Sequence, residues 1–178
     1  VLGAAVAPWS AARTAAAAER PQRNGSAHMK LSLAAYSFHR HLPQDRTMAQ
    51  FKDARMTLYE VINFAAEQNL DGVELTSYYF PSDLNTDYLV RLKEQTFRLG
   101  LDISGTAIGN NYCLPPGEAR NAQMEHTHRW IDHAATMGAP VIRIFAGSTP
   151  EGDSDEAAVA RCIEGIDEAL EYAAQKGV

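Results

Sequence analysis

The fold of this chain is decided in Gly138-Ala139-Pro140-Val141-Ile142-Arg143-Ile144-Phe145-Ala146-Gly147. A glycine closes the preceding segment, Pro140 to Phe145 read as a strand, and Ala146-Gly147-Ser148-Thr149-Pro150 reopens the chain as loop. Upstream, a helix is predicted from about Glu118 to Met137, with Met124, Ile131, Ala134 and Ala135 on its apolar side. Downstream, Val159, Ile163, Ile166, Leu170 and Ala173 form the stripe of another helix. Asp153 and Glu156 are expected to cap it, and Lys176-Gly177 to stop it.

The same pattern repeats toward the N-terminus. Leu101 to Ile108 read as a strand, followed by the turn-rich loop Gly109 to Gly117. Gly72 to Thr76 read as another, followed by Tyr78-Tyr79-Phe80-Pro81-Ser82 and a helix with Tyr88, Leu89, Leu92 and Leu99 inward. A capping box, Thr57 with Glu60, opens the helix before it, whose stripe is Leu58, Val61, Ile62 and Ala65, with Asn69 at its end. The first strand is Leu31 to Ser37. Helix-ending glycines at Gly100, Gly138 and Gly177 lie 38 and 39 residues apart, the length of one strand–helix unit with its loops.

Strands alternating with helices at this period imply an α/β fold with a parallel sheet. Two architectures fit: a (β/α)8 TIM barrel truncated to about four βα units, or a doubly wound open sheet. Three features favour the half-barrel. Tyr36-Ser37-Phe38-His39 stands where a Gly-rich phosphate fingerprint would be. Loops after strands are longer than loops before them. The last helix is complete, while the strand it should deliver is expected beyond Val178.

Strand alternation then assigns faces. Ile142 and Ile144 face the helices, so Val141, Arg143 and Phe145 face inward; Val73 and Leu75 face out, so Glu74 and Thr76 face inward; Ser32, Ala34 and Tyr36 do likewise. Tyr36, Glu74 and Arg143 should therefore converge. They would form either a plugging Glu74–Arg143 ion pair or contacts for a small polar ligand. Asn110 and Asn111, at a strand end, suit sugar hydroxyls or simply a turn. His39 and His41 read as solvated rim residues rather than a metal chelate. His126 and His133 share a helix face that reads as solvated, and His128 lies off it. Cys113 has no adjacent base, Cys162 reads as a small apolar stripe residue, and Trp130 as core.

Composition narrows the functions. The 178 residues carry 16 Lys plus Arg against 22 Asp plus Glu, a net charge of −6, and are 46% hydrophobic. A real core is affordable in size, and a nucleic-acid partner is disfavoured. Two cysteines make neither a disulfide framework nor a zinc cluster. No stretch has the ~18 apolar residues of a membrane span. Val1 to Ala18 hold nine alanines and the apolar run Val1 to Ala7, and Arg13, Arg20, Arg23 and Asn24-Gly25-Ser26 follow or interrupt them. Residues 1–29 read as the remnant of an export signal with a linker, which implies an exported (periplasmic or extracytoplasmic) protein; an Ala-rich leader on a cytoplasmic one is the alternative. Residues 30–178 form the folded part, with 13 basic and 21 acidic side chains and a net charge of −8.

At these residues the chain resembles the xylose isomerase-like TIM-barrel family, the sugar phosphate isomerases and epimerases. The resemblance lies in Leu33-Ala34-Ala35-Tyr36-Ser37-Phe38, in Asp71-Gly72-Val73-Glu74-Leu75, in Trp130-Ile131-Asp132-His133-Ala134-Ala135, and most specifically in Gly138 to Gly147. It covers 30–178 as the N-terminal half of such a barrel. The resemblance implies metal-assisted proton transfer on a small sugar or polyol, with a divalent metal held by two glutamates, an aspartate and a histidine on strands five to eight. It carries over Tyr36 and Phe38 as rim or wall residues and Glu74 and Arg143 as interior polar residues. With Asn110 these are the substrate-binding candidates, and no metal ligand is assigned. Competing readings are a non-catalytic exported carbohydrate-binding barrel and a metal-dependent endonuclease barrel. Four βα units leave open sheet edges, so association into an oligomer is also expected.

Overall fold

A computed structural model describes residues 29–178. The leader reading over 1–29 lies outside the described residues except at Met29. Four strands, β1 (Ser32–Ala34), β2 (Gly72–Thr76), β3 (Asp102–Ala107) and β4 (Ile142–Arg143), alternate with four helices, α1 (Leu58–Glu67), α2 (Thr86–Arg98), α3 (Glu118–Met137) and α4 (Asp155–Lys176). All strand pairs are parallel and the sheet order is β1-β2-β3-β4. Because the order never reverses, there is no switch point, and the doubly wound alternative falls away. The arrangement is that of part of a TIM barrel.

One face of the sheet packs beneath the helices. Val73, Leu75 and Ile103 join Val61 and Ile62 of α1, Leu89 and Leu92 of α2, and Trp130, Ala134 and Met137 of α3 in the main core. Each such aliphatic side chain contributes roughly 1.5–3 kcal/mol relative to an exposed position. A smaller cluster of Tyr112, Cys113, Met124, Ala158 and Cys162 ties α3 and α4 to the loop after β3. Thr57 and Glu60 form the expected capping box. Gly100, Gly138 and Gly177 all adopt left-handed backbone angles after their helices, and Asn69 does the same.

Several expectations are corrected. The first strand ends at Ala34, and Ala35–Phe38 wind into a 3-10 turn. The fourth strand is two residues long, because its ladder to β3 pairs only Thr106 with Ile142 and Ala107 with Arg143. Leu99 is 42% exposed, since α2 ends before it can turn inward. Ser154, not Asp153, caps α4 by accepting from the Ala157 amide. The buried side of α4 is Ala158, Cys162, Gly165 and Ala169, while Val159, Ile163 and Leu170 are exposed. Small residues win that face because α4 approaches closely: a Cβ on Gly165 would lie 3.1 Å from the Tyr112 ring.

Candidate functional site

The other face of the sheet carries the polar residues, and a bulge shapes it. The β2–β3 register shifts between Val73 and Glu74, so that Glu74 pairs with Gly105 and Ser104 is left over. Ser104 donates to the Val73 carbonyl at 3.2 Å and lies 2.6 Å from the Ser32 hydroxyl, reaching it across β2 at Gly72, which has no side chain. Farther along, Thr76 donates to Glu74 Oε1 at 2.9 Å. The second carboxylate oxygen of Glu74 has no side-chain partner among the described residues.

Arg143 stands on the same face from β4. Its Nη1 donates to the Ile108 carbonyl at 3.0 Å, and its guanidinium lies 4.1 Å from the centre of the Phe145 ring. Glu74 and Arg143 form no ion pair among the described residues, so the plugging arrangement is not the one adopted. Tyr36 is 55% exposed and stacks on His39 with ring centres 5.3 Å apart. Phe38 turns the other way, edge-on to Phe64 of α1 at 5.2 Å. Asn110 works on backbone: its Nδ2 donates to the Phe145 carbonyl at 2.6 Å and its Oδ1 accepts the Phe145 amide at 2.8 Å. It thus continues the β3–β4 ladder past the short strand. Glu74 and Arg143 keep the side that strand alternation gives them, with Phe145 against Arg143. Tyr36 lies on the 3-10 turn after β1, where that alternation no longer holds, Phe38 packs toward α1, and Asn110 binds the Phe145 backbone.

Residues that periodicity did not single out also reach this region. Tyr79 is fully buried with a hydroxyl that has no partner, and burial together with the neighbouring Tyr36 and Tyr78 raises its phenol. The aromatic run Tyr78-Tyr79-Phe80 was the available signal. His39 and His41 are exposed, in keeping with a solvated rim. Cys113 donates to the Ala146 carbonyl at 3.5 Å, and burial beside Cys113 raises the Cys162 thiol, so neither is arranged as an activated nucleophile. Among the described residues no three His, Cys, Asp or Glu side chains gather as a metal would require. No helix among them is long and apolar enough to cross a membrane.

His126 and His133 overturn the solvated-face expectation. Both are half-buried and flank Trp130, at ring-centre distances of 6.4 and 5.2 Å. They line a cavity of about 570 Å³ between α3 and the loop after β2.

Known structures share this architecture. A D-psicose 3-epimerase with D-tagatose from Clostridium cellulolyticum H10 matches with a TM-score of 0.67 at 14% identity, over 84% of this chain and 50% of that one. A D-allulose 3-epimerase from Methylomonas sp. in complex with D-allulose matches at 0.60 and 15%, over 84% and 49%. A 3-keto-D-glucoside 4-epimerase from E. coli matches at 0.61 and 15%, over 85% and 54%. This chain therefore spans about half the length of these structures, and at such identities the likeness is one of fold. No curated protein matches it in sequence. The family model of the xylose isomerase-like TIM barrel matches residues 62–178, about two thirds of the chain and three of its four strands, and the chain belongs to that family.

Proposed function

We propose that the protein is a sugar isomerase or epimerase, and that this sheet supplies one wall of its polyol pocket. The observation that carries the reading is the uncovered pairing of an acceptor and a donor on the inner face. Glu74 keeps one carboxylate oxygen for a sugar hydroxyl, and Arg143, fixed by Ile108 and Phe145, keeps guanidinium donors for a carbonyl or hydroxyl oxygen. Phe145, Val141 and Tyr36 offer apolar surface to the C–H faces of a sugar ring or chain. The neighbours in fold are sugar epimerases, which supports the substrate class.

The reaction proposed is proton transfer between adjacent carbons of an open-chain sugar. The described residues contribute binding and orientation: Arg143 holds an oxygen whose charge grows as the proton leaves, and Glu74 fixes the neighbouring hydroxyl. The divalent metal that the resemblance implies finds no ligand set among the described residues, and no step is assigned to it. Export and action on a phosphorylated sugar belong equally to this proposal.

The test is incubation of the protein with D-fructose, D-tagatose and D-allulose, followed by sugar chromatography. Epimer formation is expected, with Arg143→Ala raising KM about tenfold or more through loss of a charge-assisted hydrogen bond. Sugar-dependent thermal protection without turnover would establish the non-catalytic binding barrel instead. Neither protection nor turnover would end the sugar reading.

A further inference from the structure

The cavity of about 570 Å³ on the outer side of the strand ends is built from one face of α3 and the loop after β2. His126, Arg129, Trp130 and His133 recur at i, i+3, i+4 and i+7, so all four side chains point the same way. Phe80 packs edge-on to Trp130 at 5.0 Å and fixes the indole as part of the wall. Opposite stand the hydroxyl-bearing Ser77, Tyr78 and Ser82. Tyr78 lies over Gly109, where an added Cβ would sit 3.1 Å from the phenol oxygen.

The nitrogens of this wall lack acceptors. Arg129 forms no ion pair, and neither imidazole has a hydrogen-bond partner, among the described residues. Two other polar residues of the same helix do find partners: Asp132 takes Lys176 and Tyr172, and Arg120 takes the carbonyls of Tyr112 and Arg161. The folded part has a net charge of −8, and here an exposed guanidinium lies between two half-buried imidazoles at one cavity. Asp45, at the cavity rim, is the one carboxylate in the lining.

We propose that this cavity binds a small phosphate-type dianion, free or as a phosphate ester, through Arg129, His126 and His133, with Ser82 and Tyr78 closing the opposite side. Arg129 supplies paired donors to the phosphate oxygens, and each imidazole supplies a donor when protonated. Its lining includes neither Arg143 nor Glu74, and its test reads phosphate binding rather than sugar turnover.

The geometry carries a pH dependence. Burial and the nearby Arg129 lower both imidazoles from the ordinary histidine value, so the empty site holds them neutral near pH 7. The groups around them are Arg129, Asp132 and each other on α3, Asp45 and Tyr78 from the loops, and Lys93 of α2, which donates to the Thr136 carbonyl. An incoming dianion favours the charged imidazoles, so binding takes up protons and tightens as pH falls from 8 toward 6.5.

The experiment is calorimetric titration of the protein with inorganic phosphate, a hexose 6-phosphate and the unphosphorylated hexose at pH 8.0 and 6.5, with histidine proton resonances followed by NMR. The hexose phosphate, whose second ionisation lies at about pH 6 so that it stays largely dianionic at both pH values, is expected to bind several-fold more tightly at the lower pH and to move the His126 and His133 resonances. Arg129→Gln should weaken binding about tenfold, while Arg98→Gln, on an exposed arginine of α2 paired with Glu94, should leave it unchanged. Competition by inorganic phosphate against the hexose phosphate identifies a site for the phosphate group itself. Absence of phosphate binding, or equal losses in the two arginine variants, would overturn the proposal.

Discussion

Gly147 shows how a single residue can hold the loop after β4. Its φ is +115°, and an added Cβ would lie 1.9 Å from Asn111 Oδ1. Asn111 in turn accepts from the Cys113 amide at 3.0 Å. Gly147→Ala is expected to lower stability by about 1–3 kcal/mol or more and to disorder this loop, read as a fall in denaturation midpoint. Arg143 and Glu74 behave differently: their inner-face polar atoms are incompletely used, so their removal should touch ligand binding more than folding. Asn110 is again different, because Asn110→Ala removes both bonds to the Phe145 backbone. A cost of about 1–3 kcal/mol is expected in chemical denaturation, with the β3–β4 amides losing exchange protection.

At the scale of elements, helix termini and helix contacts carry the local order. Thr57→Ala removes the hydroxyl half of the capping box on α1 and should cost about 1 kcal/mol, measured by urea unfolding. Helices α3 and α4 are tied where Lys176 and Tyr172 both hydrogen-bond the Asp132 carboxylate, at 2.7 and 3.1 Å. Lys176 first, then Tyr172, hold this carboxyl below the usual Asp range. A depressed carboxyl contributes stability above its unfolded value, and the contribution is lost as pH falls through the folded one. Asp132→Asn should therefore melt earlier than the parent at pH 7, and the difference should begin to shrink at about pH 4, where the free carboxyl protonates, and close only below the lower folded value.

For the whole molecule, what matters is which surfaces stay bare. Val141 and Phe145 on the inner face and Val159, Ile163 and Leu170 on α4 are each at least half exposed, and β1 and β4 are the edges of the sheet. Contiguous apolar surface and open edges promote association. The 178-residue chain is expected to sediment as oligomers, and Ile163→Lys with Leu170→Glu should shift it toward monomer. A monomer in sedimentation velocity, unchanged by that pair, would contradict this reading of the exposed faces.

The periodic repeat of strand, loop, helix and left-handed glycine was legible because each signal is local. Alternation in Val73-Glu74-Leu75, the Thr57 to Glu60 box and the stops at Gly100, Gly138 and Gly177 depend on neighbours within a few residues. Those signals alone determined the α/β order. What they could not determine depends on distance between elements. Only the assembled sheet decided that strand order never reverses and that Ser104 bulges out of register. The close approach of α4 to Tyr112 decided that its small residues, not its large ones, are buried. The packing of Phe80 on Trp130 likewise turned two histidines of an apparently solvated helix face into the wall of a cavity. Helical and strand periods tell which residues share a side; which side meets another element is set by close packing between segments far apart in the chain.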